Sequence, residues 1–279
     1  MILLKRDRPD AQVELKALNI TDMSNNIYEV VKLFDPISLE EMDQVKLMNR
    51  TDTKYWFNIK HLHLLLQKVK DSYFVLNMHN EVALPYSTIY YDTDENSMFI
   101  AHHNGKLNRY KIRRRRYVSS DISFLEVKFK SNKGRTIKKR IPGNFEYCRF
   151  NEAEYSFINE ITPFSVEDLR ATLTNNFLRI TLVNKNFKER CTIDFNLTFK
   201  SGNQKVMLNN LVIVEIKADG SSSESSLARA LRDQRIKSSG FSKYCIGRTV
   251  TDYSLKRNAF KNKVRKIEKT INTTGLYNN

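Results

Sequence analysis

Residues 111–140 read KIRRRRYVSSDISFLEVKFKSNKGRTIKKR, and this stretch decides the expected fold. It contains three runs with the composition of short strands, and the turn SNKG (131–134) makes a hairpin of the last two. Because alternate residues of a strand point to opposite faces, each run places most of its basic residues on one face. The three strands therefore share a cationic face, which carries Lys111, Arg113, Arg115, Glu126, Lys128, Lys138 and Arg140.

This cationic face holds a single carboxylate, Glu126. Like charges on neighbouring strands repel each other, so the face needs water or a polyanion to neutralise it. Arginine is prominent on it, and arginine is suited to bidentate contacts with phosphate. From the residues alone two alternatives stay open: a solvated sheet face and a phosphate-binding surface.

The whole chain is basic as well. Its 279 residues carry a formal net charge of +16, which points to an anionic partner: nucleic acid, anionic lipid, phosphate polymer or nucleotide. The three cysteines lie far apart and form no disulfide framework, which favours a reducing compartment. No signal peptide or membrane-spanning helix is expected, so we expect a cytoplasmic protein that is at most peripheral at a membrane.

The same alternation recurs outside the opening stretch. We expect strands over residues 49–57, 73–76, 87–93, 176–183, 190–200 and 211–218. Most have one apolar and one polar face, and the polar faces add Lys54, Arg179, Arg190, Glu215 and Lys217 to the charged set. Short connections indicate about eight strands with mostly antiparallel pairing. An open sheet facing solvent and a closed sheet with its cationic face inward both fit this pattern.

Helical patterns flank the strands. We expect helices over residues 38–49 and 59–70, mostly helical structure over 144–175, and a helix that follows a capping box at 221–224. We divide the chain into an N-terminal extension (1–37), a central domain (38–250) and a basic C-terminal helix or tail (251–279). The fold class is therefore α+β.

A few residues are expected to lie outside any site. Arg114 and Arg116 have the opposite parity to Arg113, so they are expected as outward charges. His102 and His103 precede Asn-Gly and are expected in a turn.

Several short motifs occur in an order that resembles a known family. They are RTDTKYW (50–56), YKIRRRRY (110–117), FLEVKFK (124–130), GRTIKKR (134–140), VEIK (214–217) and FSKY (241–244). Over roughly residues 38–250 the chain resembles the polyphosphate polymerase domain of the vacuolar transporter chaperone (VTC) family. That family belongs to the triphosphate tunnel metalloenzymes, related to CYTH-type triphosphatases and adenylate cyclases. The resemblance implies a mostly antiparallel eight-stranded β-barrel tunnel flanked by helices.

The resemblance also implies roles for individual residues. Glu215 would be the main metal-ligating carboxylate, Glu126 a second one, and the ion would be Mn²⁺ or Mg²⁺. Ser242 and Lys243, expected in a loop, would contact phosphate near one mouth, where Gly240 replaces the basic residue usual in the family. The cations that would grip phosphate and line the wall are Lys54, Arg113, Arg115, Lys128, Lys138, Arg140, Arg179 and Arg190.

The function implied by the resemblance is ATP-dependent polyphosphate synthesis, in which the end of a growing chain attacks the γ-phosphorus of ATP. Hydrolysis of a nucleotide or inorganic triphosphate stays an alternative, as does binding of polyphosphate or inositol phosphates without turnover. No nucleic-acid partner is expected, because tyrosines and phenylalanines fall mostly on apolar faces. Movement of polymer across a membrane would need a separate membrane subunit, and the oligomeric state is left open.

Overall fold

The computed structural model describes residues 26–43, 50–145, 149–220 and 225–277. Residues 1–25 of the predicted extension, residues 44–49 of the first predicted helix and the predicted capping box at 221–224 lie outside the described residues. The division of the chain at residues 37 and 250 stays a prediction. The helices are α1 (26–31), α2 (Leu39–Asp43), α3 (Leu62–Val69), α4 (Ser97–His103), α5 (Glu152–Ile161), α6 (Ser226–Asp233), α7 (Lys243–Thr251) and α8 (Lys261–Ile271).

Strands make up most of the rest of the described chain. They are β1 (Asp35–Ile37), β2 (Arg50–Asn58), β3 (Tyr73–Leu76), β4 (Leu84–Thr93), β5 (Arg109–Tyr117), β6 (Ile122–Lys130), β7 (Thr136–Pro142), β8 (Leu169–Asn184), β9 (Glu189–Ser201), β10 (Gln204–Leu208) and β11 (Leu211–Asp219). The three predicted cationic strands are β5, β6 and β7. The predicted hairpin turn between the last two is confirmed by a hydrogen bond of 3.2 Å from Gly134 N to Ser131 O.

Eight of these strands follow one another in a single curled sheet. Their order is β2-β11-β9-β8-β4-β5-β6-β7, and each neighbouring pair is antiparallel. Short strands extend the sheet, and β1 pairs in parallel with β3. In the described part of the chain no ladder joins β2 to β7, so the sheet curls around a cavity without closing. The predicted class, α+β with a mostly antiparallel tunnel-type sheet and flanking helices, is confirmed.

Helices cover the apolar outer face of the sheet. On one side, Ile193 of β9 and Val214 of β11 belong to a buried cluster with residues of α1, α3 and α6. On the other side, Ile112 of β5 and Leu125 of β6 are buried with Ile158 of α5. Because the strands alternate, burial of these residues turns their charged neighbours inward.

The inner face changes character along its length. Trp56, Phe199 and Ile213 belong to a buried cluster with side chains of α7 and α8, so one end of the inner face is apolar. Helix α7 contacts β8 and β9, and α8 contacts β2 and β11. The charged middle of the inner face lies beside this covered end and lines the cavity.

Two predicted local structures are wrong, one because of strand pairing and one because a buried carboxylate stabilises a short helix. The sequence pattern favours a helix for 169–175, but these residues begin β8 because β4 pairs with them, from Thr93 opposite Leu169 to Thr88 opposite Asn175. His102 and His103, expected in a turn, lie in α4. The buried carboxylate of Asp92 accepts hydrogen bonds from the first turn of α4, which stabilises this short helix.

Arg114 is not the outward charge that its parity predicts. It does lie on the outer face of β5, but α5 covers that face and buries Arg114 completely. Its guanidinium donates to both carboxylate oxygens of Glu154, at 3.1 and 2.5 Å, and to the hydroxyl of Tyr91 at 3.1 Å. Arg116 is partly exposed and pairs with Asp121 at 2.7 Å, in agreement with its predicted outward position. No helix among the described residues is long and apolar enough to cross a membrane.

Candidate functional site

All eight strands of the main sheet contribute side chains to one cavity of about 590 Å³. Eleven lysine or arginine side chains and four carboxylates line it. The structure brings every predicted phosphate-binding residue to this cavity, together with Glu215. Glu126 lies directly behind the lining, where its carboxylate contacts two of the lining cations. The lining cations are Lys54, Lys111, Arg113, Arg115, Lys128, Lys138, Arg140, Arg179, Arg190, Lys217 and Lys243.

The first of three carboxylate clusters lies on β5, β6 and β7. Arg113 donates to Glu126 through Nε at 2.7 Å, and Lys138 forms an ion pair with the other oxygen of the same carboxylate. Burial alone would raise the pKa of Glu126, but Arg113 and Arg115 hold it at about 2. Glu126 is therefore an ionised, enclosed acceptor that fixes the orientation of Arg113.

The second cluster joins β8 and β9 to the first turn of α7. Arg179 donates two hydrogen bonds to the carboxylate of Asp194, at 2.6 and 2.8 Å, and Lys243 forms an ion pair with the same carboxylate. Lys243, expected in a loop, is instead the first residue of α7, whose N-cap is Ser242. Burial would raise the pKa of Asp194, yet these two cations keep it well below its usual range.

Glu215 forms the third cluster with two lysines. Its two oxygens lie 3.1 Å from Nζ of Lys54 on the adjacent strand and 2.5 Å from Nζ of Lys217 on its own strand. Although burial opposes ionisation, Lys217 and Lys54 hold the pKa of Glu215 well below its usual range. Each of the three carboxylates is thus shared by two cations, and six cations are neutralised only in part.

Three other cations of the cavity form no direct ion pair with the described residues, although Arg115 lies close enough to Glu126 to help lower its pKa. Among the described residues, no ion pair involves Lys111, Arg115 or Lys128. Burial lowers the pKa of all three, and nearby cations lower it further; for Lys128 the pKa falls to about 8. The inner wall therefore carries a surplus of positive charge that costs free energy in the absence of an anion.

Aromatic rings lie under several of these cations, although tyrosines and phenylalanines are expected to fall mostly on apolar faces. The guanidinium of Arg179 lies 4.9 Å from the ring centre of Tyr86, and Nζ of Lys243 lies 4.5 Å from that of Phe177. The rings of Tyr86 and Phe177 stack on each other, and both residues are buried. These two rings stabilise the neighbouring cations by cation–π contacts.

The carboxylates near the cavity suit a metal that is held mainly by phosphate. In the described part of the chain, no three or more His, Cys, Asp or Glu side chains are grouped so as to hold an ion. Mg²⁺ is commonly held by one or two carboxylates together with water and substrate phosphates. A single Glu could therefore supply the protein's share of the ligands. Glu215 is the better candidate, since its side chain is 19% exposed, whereas that of Glu126 is 1% exposed and enclosed by its cations.

Sequence reasoning assigned no role to three residues of the cavity. Asp194 anchors Arg179 and Lys243, Lys217 pairs with Glu215, and Lys111 donates to Oγ of Ser242 at 3.1 Å. Their strand parity already placed all three on the polar faces. The partners of Asp194 and Lys111 could not be read from parity, because those pairings join separate strands or a strand and α7. Lys217 and Glu215, by contrast, lie two residues apart on the same face of β11.

Comparison with solved structures gives matches of low sequence identity. A proposed adenylate cyclase from Bacillus halodurans is 11% identical, with a TM-score of 0.48, over 70% of this chain and 96% of that one. A proposed adenylyl cyclase from Hippeastrum with a dominant triphosphatase activity is 12% identical, with a TM-score of 0.46, over 72% of this chain and 95% of that one. No curated protein gives a significant match to the chain.

Comparison with protein-family models gives a match that covers most of the chain. The model of the VTC domain matches residues 49–251, from the start of β2 to the end of α7. This range contains every strand of the main sheet and all eleven cations that line the cavity. The chain therefore belongs to the VTC domain family.

Proposed function

We propose that this protein transfers the γ-phosphoryl group of ATP to the end of a growing polyphosphate chain inside the cavity, with Mg²⁺ or Mn²⁺. Membership of the VTC domain family supports a polyphosphate- or triphosphate-handling role. The observation that carries the proposal is the surplus of cations on one wall of the cavity, where Arg115 is buried and Lys111 and Lys128 are half-buried. A linear polyanion would relieve their mutual repulsion along the whole wall.

The side chains of the cavity supply what phosphoryl transfer requires. The reaction depends on alignment of the reacting groups and on neutralisation of charge, with little covalent chemistry by the protein. Arg113 and Arg179 are held rigidly by Glu126 and Asp194, so they can present preorganised donors to phosphate oxygens. Arg115 forms no direct ion pair among the described residues, so its guanidinium is the strongest candidate to bind the transferring phosphate.

Glu215 would hold the divalent ion. When bound, such an ion neutralises charge on phosphate oxygens and adds to the effect of the arginines. Lys54 and Lys217, which pair with Glu215 in the free protein, would then be available for phosphate oxygens. Ser242 and Lys243 present the N-terminal turn of α7 to the same space, and such a turn favours anions.

Hydrolysis of a triphosphate is the second candidate. It is favoured by one observation: α7 and α8 cover the apolar end of the inner face, so a growing polymer could not leave by that end. Water would then replace the polyphosphate end as the attacking group, and the same arginines would serve. The two candidates differ in product and not in the residues they need.

The test is incubation of the purified protein with ATP and Mn²⁺ or Mg²⁺, followed by separation of long polymer, short phosphates and free phosphate on one gel. Long polymer would support the polymerase, and free phosphate alone would support the hydrolase. In either case we expect Glu215→Gln to lower turnover by about 10²-fold or more, the order found when a group that stabilises transition-state charge is removed. Binding of tripolyphosphate should persist or tighten, because a negative charge has been removed.

The matched control is Glu160→Gln, which changes an exposed carboxylate on α5 and should leave turnover unchanged. Tripolyphosphate binding without turnover of ATP would point to a binding module. Full activity of Glu215→Gln would remove Glu215 from the site.

A further inference from the structure

The curled sheet leaves a gap along its side, which we call the seam. One rim of the seam is β2 with residues 237–241, and the other rim is β7. The two strands are the ends of the hydrogen-bonded path, and no ladder joins them in the described part of the chain. The hydrogen-bonded wall of the cavity is therefore interrupted between β2 and β7.

The path of the chain explains why β2 does not pair with β7. Helix α6 lies on the outer face, where Leu227 and Leu231 are buried, whereas α7 lies at the inner face. The segment between them has to pass around the free edge of β2, and Ser239 N donates to Lys54 O at 2.8 Å as it does so. Lys263 of α8 fastens the same segment by donating to Gly240 O at 2.7 Å. A strand cannot occupy an edge that this segment already covers.

Exposure of the cations increases from the floor of the cavity to the seam. On the central strands and α7, the side chains of Arg179 and Lys243 are each 14% exposed. On the two rims, those of Lys54 and Lys138 are 34% and 39% exposed. The cations on the two rims are thus more accessible to solvent than those on the central strands and α7.

The chemistry of β7 suits a polyanion better than another strand. Its exposed edge carries Lys138, Lys139 and Arg140 and ends in Pro142, and such residues discourage strand addition. Lys138 and Arg140 line the cavity on this rim, and Lys54 does so on the other. Both rims of the seam therefore present cations to the cavity, with Asp52 beside Lys54 on β2 and an excess of positive charge on β7.

We propose that the seam admits a polyphosphate chain sideways, so that an internal segment of the polymer binds in the cavity without a free end being threaded. The proposal rests on the proposed function, since it assumes that the cavity takes polyphosphate. All internal units of such a polymer are alike and negatively charged, so any segment can lie along the cationic wall. Lateral exchange also gives a growing polymer a way out that avoids the end covered by α7 and α8.

The test compares linear polyphosphate in three forms: both ends free, one end linked through biotin to streptavidin, and both ends so linked. Each is titrated against fluorescently labelled full-length protein without ATP or metal, and streptavidin alone is the blank. Lateral entry predicts that the dissociation constants of the three forms agree within about threefold, because no end has to pass through the cavity. This corresponds to a difference of less than about 1 kcal/mol in binding free energy. Threading predicts that only the doubly blocked form binds poorly.

Arg115→Met shows whether the polymers bind in the cavity, because it changes a buried cation of the floor. All three forms should bind this variant more weakly than the unaltered protein. The lateral route is wrong if the doubly blocked form binds more than about tenfold (1.4 kcal/mol) more weakly than the singly blocked form. If no form responds to Arg115→Met, the proposed function itself fails, whatever the route.

Discussion

Single residues of the cavity differ in how their charges are balanced. Glu126, Asp194 and Glu215 are each shared by two cations, whereas burial and neighbouring cations lower the pKa of Arg115, which forms no ion pair among the described residues. A buried charge without a counter-ion destabilises the folded state. The cations best placed to bind an anion are therefore those that most destabilise the folded protein in its absence.

Arg115→Met tests whether Arg115 promotes turnover while it destabilises the folded protein. We expect turnover to fall by about 10² to 10³-fold, because a preorganised donor to the transferring phosphate is lost. The unfolding free energy in urea should stay the same or rise, because methionine fills the space without the charge. Arg116→Met is the control, since Arg116 faces outward and pairs with the exposed Asp121. A large loss of stability in Arg115→Met would contradict this view of the residue.

Arg114 should stabilise the folded protein, in contrast to Arg115. Its pair with Glu154 is fully buried, and Glu154 also accepts from Asn151 N in the capping box that begins α5. Glu154→Gln should lower the unfolding free energy by about 3 to 5 kcal/mol, because it leaves Arg114 buried without its counter-ion. Joint replacement of Arg114 and Glu154 by methionine should cost less than the single change. A double replacement that costs as much as Glu154→Gln or more would contradict the view that an uncompensated buried charge causes the loss.

Among the elements, α7 has the closest connection between packing and site. Its first turn brings Ser242, Lys243 and Tyr244 to the cavity, and the hydroxyl of Tyr244 donates to the buried carboxylate of Asp92. Further along, Gly247 lies against β8 and β9: an added Cβ would be 2.6 Å from side-chain atoms of both Leu173 and Phe199. The helix can approach the sheet this closely only because residue 247 has no side chain.

Gly247→Ala should therefore disturb both stability and binding. We expect a loss of about 1 to 3 kcal/mol in unfolding free energy from overpacking, with weaker tripolyphosphate binding because α7 carries Lys243. Gly240→Ala is the matched control, since an added Cβ there meets nothing within 4 Å. If Gly247→Ala lost stability but bound tripolyphosphate normally, the position of α7 would not control the site.

At the scale of the whole molecule, the positive charge of the cavity makes stability and binding respond to pH in opposite directions. Burial lowers the pKa of Lys128 and of Lys138 from 10.5 to about 8. Above that pH the folded protein loses these protons while the unfolded chain keeps them. Stability then rises with pH, because the unfolded state binds more protons. Polyphosphate affinity falls over the same range, because two cations of the wall become neutral.

We therefore expect urea unfolding of the free protein to give a larger unfolding free energy at pH about 9.5 than at pH about 7.5, and titration with polyphosphate to give a weaker affinity. Replacing both lysines by arginine, which stays charged, should flatten the two profiles between these pH values. Parallel changes in stability and affinity would show that other groups dominate the response.

Strand parity by itself determined a large part of this protein. The period of two in residues 111–140 and 211–218 placed Arg113, Arg115, Lys128, Lys138 and Glu215 on faces that the structure brings to one cavity. The alternation of side chains between two faces follows from the local geometry of an extended chain. It is therefore the same in any fold in which these residues form a strand. The α+β class and the mostly antiparallel sheet could be predicted for the same reason.

Only the tertiary structure decided which of these faces are covered and which charges meet. Arg114 is buried because α5, almost forty residues away in the chain, packs on its face, and residues 169–175 are a strand because β4 lies beside them. The pairing of Asp194 with Lys243 and the open seam likewise depend on where α7 and the segment before it run. Such contacts join distant parts of the chain, and their free energy outweighs local preference, so no local pattern could reveal them.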